Sequence, residues 1–205
     1  MSATREHIID LADKVIREKG FNAFPYADIA AVLEIRKAAI HYHFPSKSQL
    51  GQAVMEEELS RLDLFRRLNA RVGGDLQLKH LVGTFYHNAR RQVVCLMGAL
   101  TPEFATFDAE MQATLRRLCL VIREWVGECL EEARVGERLR FEGPAMDRAA
   151  LVVSTLLASL LLSRIEGVEI FRQMVDRMLE DLGAHWRVGD LAEADPSVDR
   201  HYSFT

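Results

Sequence analysis

From Thr4 onward, Ile8, Leu11, Ala12 and Val15 follow an i, i+3, i+4, i+7 stripe, the spacing that puts side chains on one face of an α-helix. The same period returns in every later segment. No stretch alternates apolar and polar residues between turn residues, as a half-buried strand would. The chain is therefore expected to be all-α, with glycine and proline as its punctuation. Gly20 is placed to close the first helix in a left-handed conformation, with Thr4 as its cap. Pro25 opens a short helix over 26–32, and a second short one runs from Arg36 to His43. Neither can stand alone, and the brief link between them forces a sharp angle. Phe44-Pro45 closes the second. Ser46, with Gln49 three residues later, is a capping-box pattern that starts a long helix to about Asn69. Gly73-Gly74 is the clearest break. Further helices are expected over 75–93, 96–106, 108–134, 146–166 and 168–186, with another break at 136–144. The polar stretch 189–205 has no periodicity and is expected to be loose.

Composition sets the class. Of 205 residues, 49% are hydrophobic and only 3 are cysteine, too apolar for disorder and too poor in cysteine for a secreted disulfide scaffold. The N-terminal residues lack an apolar core followed by a cleavage site, so a cytoplasmic protein is expected. Ala149–Ser163 is uncharged between Arg148 and Arg164, but it is shorter than the roughly 20 residues of a bilayer span and contains Ser154, Thr155 and Ser159. It reads as a buried helix, with no membrane partner. Being apolar nearly all round, it needs a cover, and a second subunit is the economical one. Leu156, Leu157, Leu160 and Leu161, paired with Phe171, Met174, Val175 and Met178 on the last helix, are expected to form a four-helix interface across a twofold axis.

The net charge of −4 argues against nucleic acid until it is divided. Residues 1–50 hold seven basic and six acidic side chains, a net of +1, which leaves −5 for the remaining 155. Ile35–Met55 contains Arg36, Lys37, Lys47, His41 and His43 and no acid. A helix-turn-helix would carry such a second helix into a major groove.

The run DIAAVLEIRKAAIHYHFPSKSQL, Asp28–Leu50, closely resembles the helix-turn-helix signature of TetR-family transcriptional regulators. Thr4-Arg5 and Gly20-Phe21 fall at the spacing of that family's first helix. CLMGAL followed by EFATF, and the final helix pair, resemble one branch of it more weakly. The resemblance implies a homodimer with an N-terminal three-helix DNA-binding domain and a larger C-terminal helical domain that binds a ligand and dimerises. The expected division is 1–50 for DNA, a connecting helix 47–69, 51–188 for ligand and dimer, and a tail 189–205. The sequence departs from the family pattern at Glu34, where glycine is usual in the turn, at Arg36, in place of a small hydroxyl residue, at His41, where tyrosine is commonest, and at Pro25, in place of a hydroxyl residue. A positive backbone angle at Glu34 would be costly, so the turn is expected to be shaped slightly differently.

On this resemblance the double-stranded DNA operator meets Arg36, Lys37 and Ala38 at the start of the recognition helix, then His41 and Tyr42. Lys47, in the first turn of the next helix, is expected at a phosphate, and Tyr26 at the DNA backbone. Ile29, Ala30, Ile35, Ile40 and Phe44 are expected in the core. An aromatic and methionine-rich set, Phe85, Met97, Phe104, Phe107, Met111 and Trp125 with Cys95, reads as core or as the wall of a cavity for a small-molecule effector, with His87, Asn88 or Arg164 to orient it.

Other chemistries lack their parts. His41 and His43, two apart on a helix, diverge by about 200° and have no third ligand beside them. Cys119 and Cys129 are ten residues apart on one helix, about 15 Å, beyond a disulfide's reach. No phosphate loop, nucleophile elbow or metal signature occurs, so neither an enzyme nor a cofactor is expected. The reading is a ligand-released repressor; the alternative is a ligand-binding helical protein with weakened or lost DNA binding.

Overall fold

The computed structural model describes residues 3–191, all-helical apart from turns, with no strand among them. In chain order the helices are α1 (Ala3–Lys19), α2 (Tyr26–Val32), α3 (Lys37–His43), α4 (Lys47–Asn69), α5 (Gly74–Arg90), α6 (Leu96–Leu100), α7 (Ala109–Val135), α8 (Ala145–Glu166) and α9 (Val168–Asp181). Short 3₁₀ turns follow α6 (Thr101–Thr106) and α9 (Val188–Leu191). Residues 192–205 of the expected tail lie outside the described residues.

Local chemistry sets most boundaries. Gly20, at φ 89°, ends α1, and Pro25 in extended conformation opens α2. Ser46 and Gln49 close their box reciprocally at 3.2 Å in both directions. Asp108 caps α7 by accepting the Met111 N–H at 2.9 Å. The last long helix stops earlier than its periodicity suggests. Gly183 turns left-handed at φ 65°, and the N–H groups of Gly183 and Ala184 return to Glu180 and Leu179. This pair of bonds closes a helix firmly, so Trp186 lies beyond α9.

The chain forms two compact units, each assembled from separated stretches. The first joins the residues up to Asp63 with Leu96–Leu118, unlike the contiguous division expected from sequence. The reason is visible in its packing. Phe107 meets Phe21 edge-on at 5.3 Å, the Asn22 N–H donates to Glu103 at 2.7 Å, and Ser48 hydrogen-bonds Asp108. Ile8, Ile16, Phe24, Ile29, Ile40, Leu50, Leu96 and Met111 form its core. An ionic network ties α1 to α4: buried Arg17 pairs with Asp13 at 2.8 Å and with Glu58 at 3.1 Å, and Arg61 reaches Asp10 and Asp13. Burial pushes the Glu58 carboxyl above its usual range, against the pull of Arg17. Removing Arg17 would leave the buried Asp13 and Glu58 carboxyls without their shared cation, at a cost of about 3 to 5 kcal/mol.

The second unit comprises, among the described residues, Leu64–Cys95 and the chain from Cys119 to Leu191. Its centre is the hairpin of α8 and α9, reversed at Gly167 with φ 88°. Against it packs α5, where Tyr86 stacks on Phe171 at 6.0 Å. This corrects the place expected for four of the eight dimer residues. Leu156, Leu160, Phe171 and Val175 are fully buried within one chain, each contributing about 1.5 to 3 kcal/mol to the protomer itself. Met178 is buried too, whereas Leu157 and Met174 are half-buried. The outward side of α8 carries Leu151, Leu161 and Ile165, exposed by 57%, 40% and 83%, with exposed Ser154 and Ala158 between them. At 22 residues, with an 18-residue window of mean hydropathy 1.7, α8 is long and apolar enough to cross a membrane, although its other side is already packed against α5 and α9.

Candidate DNA-binding surface

Two short helices and the turn between them build the surface, all inside the first unit. After α2 the chain turns at Glu34, which adopts φ 54°. The Ile35 N–H donates to Ala30 at 3.1 Å and the Glu34 N–H to Ala31 at 3.4 Å, so the turn closes in the same bond pattern that glycine normally serves. Arg36 then caps α3 in extended conformation. Within α3, only Ile40 is buried. Lys37, Ala38, His41 and Tyr42 are all exposed, and their i, i+1, i+4, i+5 spacing makes one continuous face. Tyr42 is 83% exposed, its ring meeting only the edge of neighbouring His43 among the described residues. Arg36 is exposed at the head of the same helix. These five expected DNA residues therefore share one surface.

The other two have interior roles. Tyr26 is buried, and its hydroxyl proton is shared between the carbonyls of Phe44 at 3.0 Å and Ser46 at 2.7 Å. Burial pushes the phenol up to about 12. A DNA-backbone contact by this hydroxyl is replaced by an internal tie. Lys47 likewise turns inward. Its ammonium donates to the Phe24 carbonyl and sits over the rings of Phe21 and Phe24, 5.0 and 4.2 Å from their centroids. Burial lowers its pKa, against the pull of the Glu103 and Asp28 carboxylates. A lysine stem can lie along apolar surface in either direction, so sequence position alone could not tell which way the ammonium points.

The expected effector residues divide between the units. Met97, Phe104, Phe107 and Met111 belong to the first; Phe107 and Met111 are buried there, against Phe21. Phe85, His87, Asn88, Cys95, Trp125 and Arg164 belong to the second. Asn88, Cys95 and Trp125 are buried, while Phe85 and His87 are half-buried. Trp125 packs edge-on against Phe65 at 5.4 Å and donates its indole N–H to Gln77 at 3.2 Å. Gln77, which periodicity does not single out, is thus a polar anchor of the second unit. Arg164 is exposed in the last turn of α8, facing solvent instead of the interior. Burial pushes the Cys129 thiol up to about 12, where it is unreactive. No group of three or more His, Cys, Asp or Glu side chains stands at metal-binding spacing among the described residues. The second unit also holds a groove of about 530 Å³ between α8 and α9, walled by Leu151, Ile170, Met174 and Leu182, with Arg148, Arg177 and Asp181 also lining it.

Comparison with known proteins converges on one family. A family model described as "Bacterial regulatory proteins, tetR family" matches residues 8–54, which span α1 to the first turns of α4. The HTH-type transcriptional repressor DhaR of Mycobacterium sp. (strain GP1) is 25% identical over 186 residues, covering 87% of this chain and 86% of that protein. A TetR-family transcriptional regulator from Agrobacterium tumefaciens superposes with a TM-score of 0.82 at 25% identity, covering 88% of this chain and 97% of the other. A TetR transcriptional regulator from Legionella pneumophila shares the fold with a TM-score of 0.80 at 23% identity, over 89% and 98% of the two chains.

Proposed function

We propose, from the premise that the chain belongs to the tetR family of bacterial regulatory proteins, that it is a repressor released from a pseudo-palindromic operator by a small molecule. It is a helix-turn-helix transcriptional regulator, and the reading places it in the cytoplasm as a homodimer. The observation that carries the reading is the exposed face of α3: Lys37, Ala38, His41 and Tyr42, headed by Arg36. Arginine and lysine there suit guanine edges or phosphates, and a good bidentate arginine contact contributes about 1 to 3 kcal/mol of discrimination. Two copies place two such helices in successive major grooves. The uncovered stripe of Leu151, Leu161 and Ile165 supports a second copy as its cover. The effector then acts by differential affinity, favouring a conformer whose paired recognition helices no longer match the operator. The alternative, a helical ligand binder without DNA binding, loses its main support because the turn at Glu34 closes with both of its bonds.

The test is selection of DNA fragments by the protein from a genomic pool, followed by titration of the selected duplex with Lys37→Ala at several salt concentrations. The variant is expected to bind more weakly, with a salt slope reduced by about one per protomer. An unchanged slope and affinity would remove α3 from the interface.

A further inference from the structure

The recognition helix is only 7 residues long and buries a single side chain, Ile40. One anchor allows a two-turn helix to swing about it. Two further constraints hold it, and both come from residues whose position in sequence suggests contact with DNA. Tyr26, the first residue of α2, stacks obliquely on His41 of the exposed face, ring centroids 4.9 Å apart. Its hydroxyl engages the carbonyls of Phe44 and Ser46 just past the end of α3. One side chain therefore touches both the reading face and the exit of the helix. Lys47 holds the next residue pair: its ammonium is bonded to the Phe24 carbonyl and lies over the Phe21 and Phe24 rings. The junction from Phe44 to Lys47 is thus fastened to the segment from Phe21 to Tyr26 at two points. An ammonium in such a cradle has a carbonyl and two ring faces for partners, and turning out to meet a phosphate would forfeit all three.

The geometry points to Tyr26 and Lys47 as positioning residues that set the direction of the recognition helix, acting on operator choice through α3 and making no phosphate contact of their own. This rests on the DNA-binding reading above. A phosphate contact and a positioning contact differ in what they do to salt dependence. Losing the first lowers the slope of log K against log salt by about 0.9 per protomer on any duplex. Losing the second spares that slope, and spares binding to unrelated DNA, while weakening binding to the selected site.

The experiment compares wild type, Lys47→Met, Lys47→Arg and Tyr26→Phe, each as the full chain, on a duplex selected from a random pool and on a scrambled duplex of equal composition. If wild type selects no duplex, the DNA-binding reading itself fails. Given selection, Lys47→Met and Tyr26→Phe are each expected to lose about tenfold on the selected duplex, the scale of one mid-strength contact. Affinity and salt slope on the scrambled duplex are expected to stay at wild-type values. Lys47→Arg keeps a cation for a phosphate but does not fit the ammonium cradle, so it is expected to behave like Lys47→Met. Three results overturn the assignment: a slope lowered on both duplexes, full recovery by Lys47→Arg, or unchanged selected-site affinity in both Tyr26→Phe and Lys47→Met. If Lys47→Met does not fold, Lys47→Arg and Tyr26→Phe decide by the same criteria.

Discussion

Glu34 illustrates how the fold can impose strain that the sequence argues against. The cost of a positive angle called for a differently shaped turn, yet φ is 54° there, a conformation that costs a residue with a Cβ about 1 kcal/mol. Glu34→Gly is expected to stabilise the protein by about 0.5 to 1 kcal/mol, seen as a higher melting temperature; a lower one would mean that the glutamate side chain contributes a contact outweighing the strain. Tyr26 gives a prediction in pH. Its phenol is pushed up to about 12 in the fold, above an unfolded value near 10, so the folded state holds the proton more tightly. The stabilisation from this group is complete below pH 10 and is lost as pH rises toward 12, amounting to about 2 kcal/mol. Urea unfolding at pH 9 and pH 11.5 is expected to show a larger fall for wild type than for Tyr26→Phe, and equal falls would contradict it. The type and place of Tyr26 and Lys47 were legible; the direction of their polar ends was not, because a neighbouring carbonyl in the fold competes with solvent and DNA for the same group.

At the scale of elements, legibility follows how local the cause is. The capping box of Ser46 and Gln49, the stop at Gly20 and the start after Pro25 depend on residues a few positions apart, and each stands where the spacing placed it. The end of α9 carried a signal as well, in Gly183, but the apolar stripe runs past it and periodicity alone overran to Trp186. Gly73-Gly74 read as a break, yet only packing shows why Gly74 must be glycine. A Cβ there would run into the carbonyl oxygen of Cys129 on α7, while Glu132 accepts the Gly74 N–H and Arg138 links Glu132 to Asp75, the latter at 2.6 Å. Gly74→Ala, otherwise favourable in a helix, is expected to destabilise the protein by about 2 kcal/mol or more, because backbone cannot move aside as a side chain can. Chemical denaturation measures it, and a neutral result would show that α5 can shift away from α7 without loss.

For the whole molecule, the decisive matter is which apolar residues serve the protomer and which are left for a partner. Leu156→Glu is expected to unfold the chain, since Leu156 is buried within it and an unpaired interior charge costs several kcal/mol. Leu161→Glu and Ile165→Glu, at exposed positions on α8, are expected to keep full helicity by circular dichroism and to shift sedimentation from dimer toward monomer. A dimer unaltered by both would place the interface elsewhere. The sequence by itself determined the helical class, the order and most limits of the helices, and the separation of a nearly neutral N-terminal stretch, with an acid-free segment at 35–55, from an acidic body, because these depend on spacing and on charge counted along the chain. Only the tertiary structure decided that Leu96–Leu118 folds with the N-terminal helices, that Lys47 and Tyr26 face inward, and that Leu156, Leu160, Phe171 and Val175 belong to the protomer's own core. A helix that is apolar nearly all round has no face marked in its sequence as inner or outer; the helices packed against it make that choice.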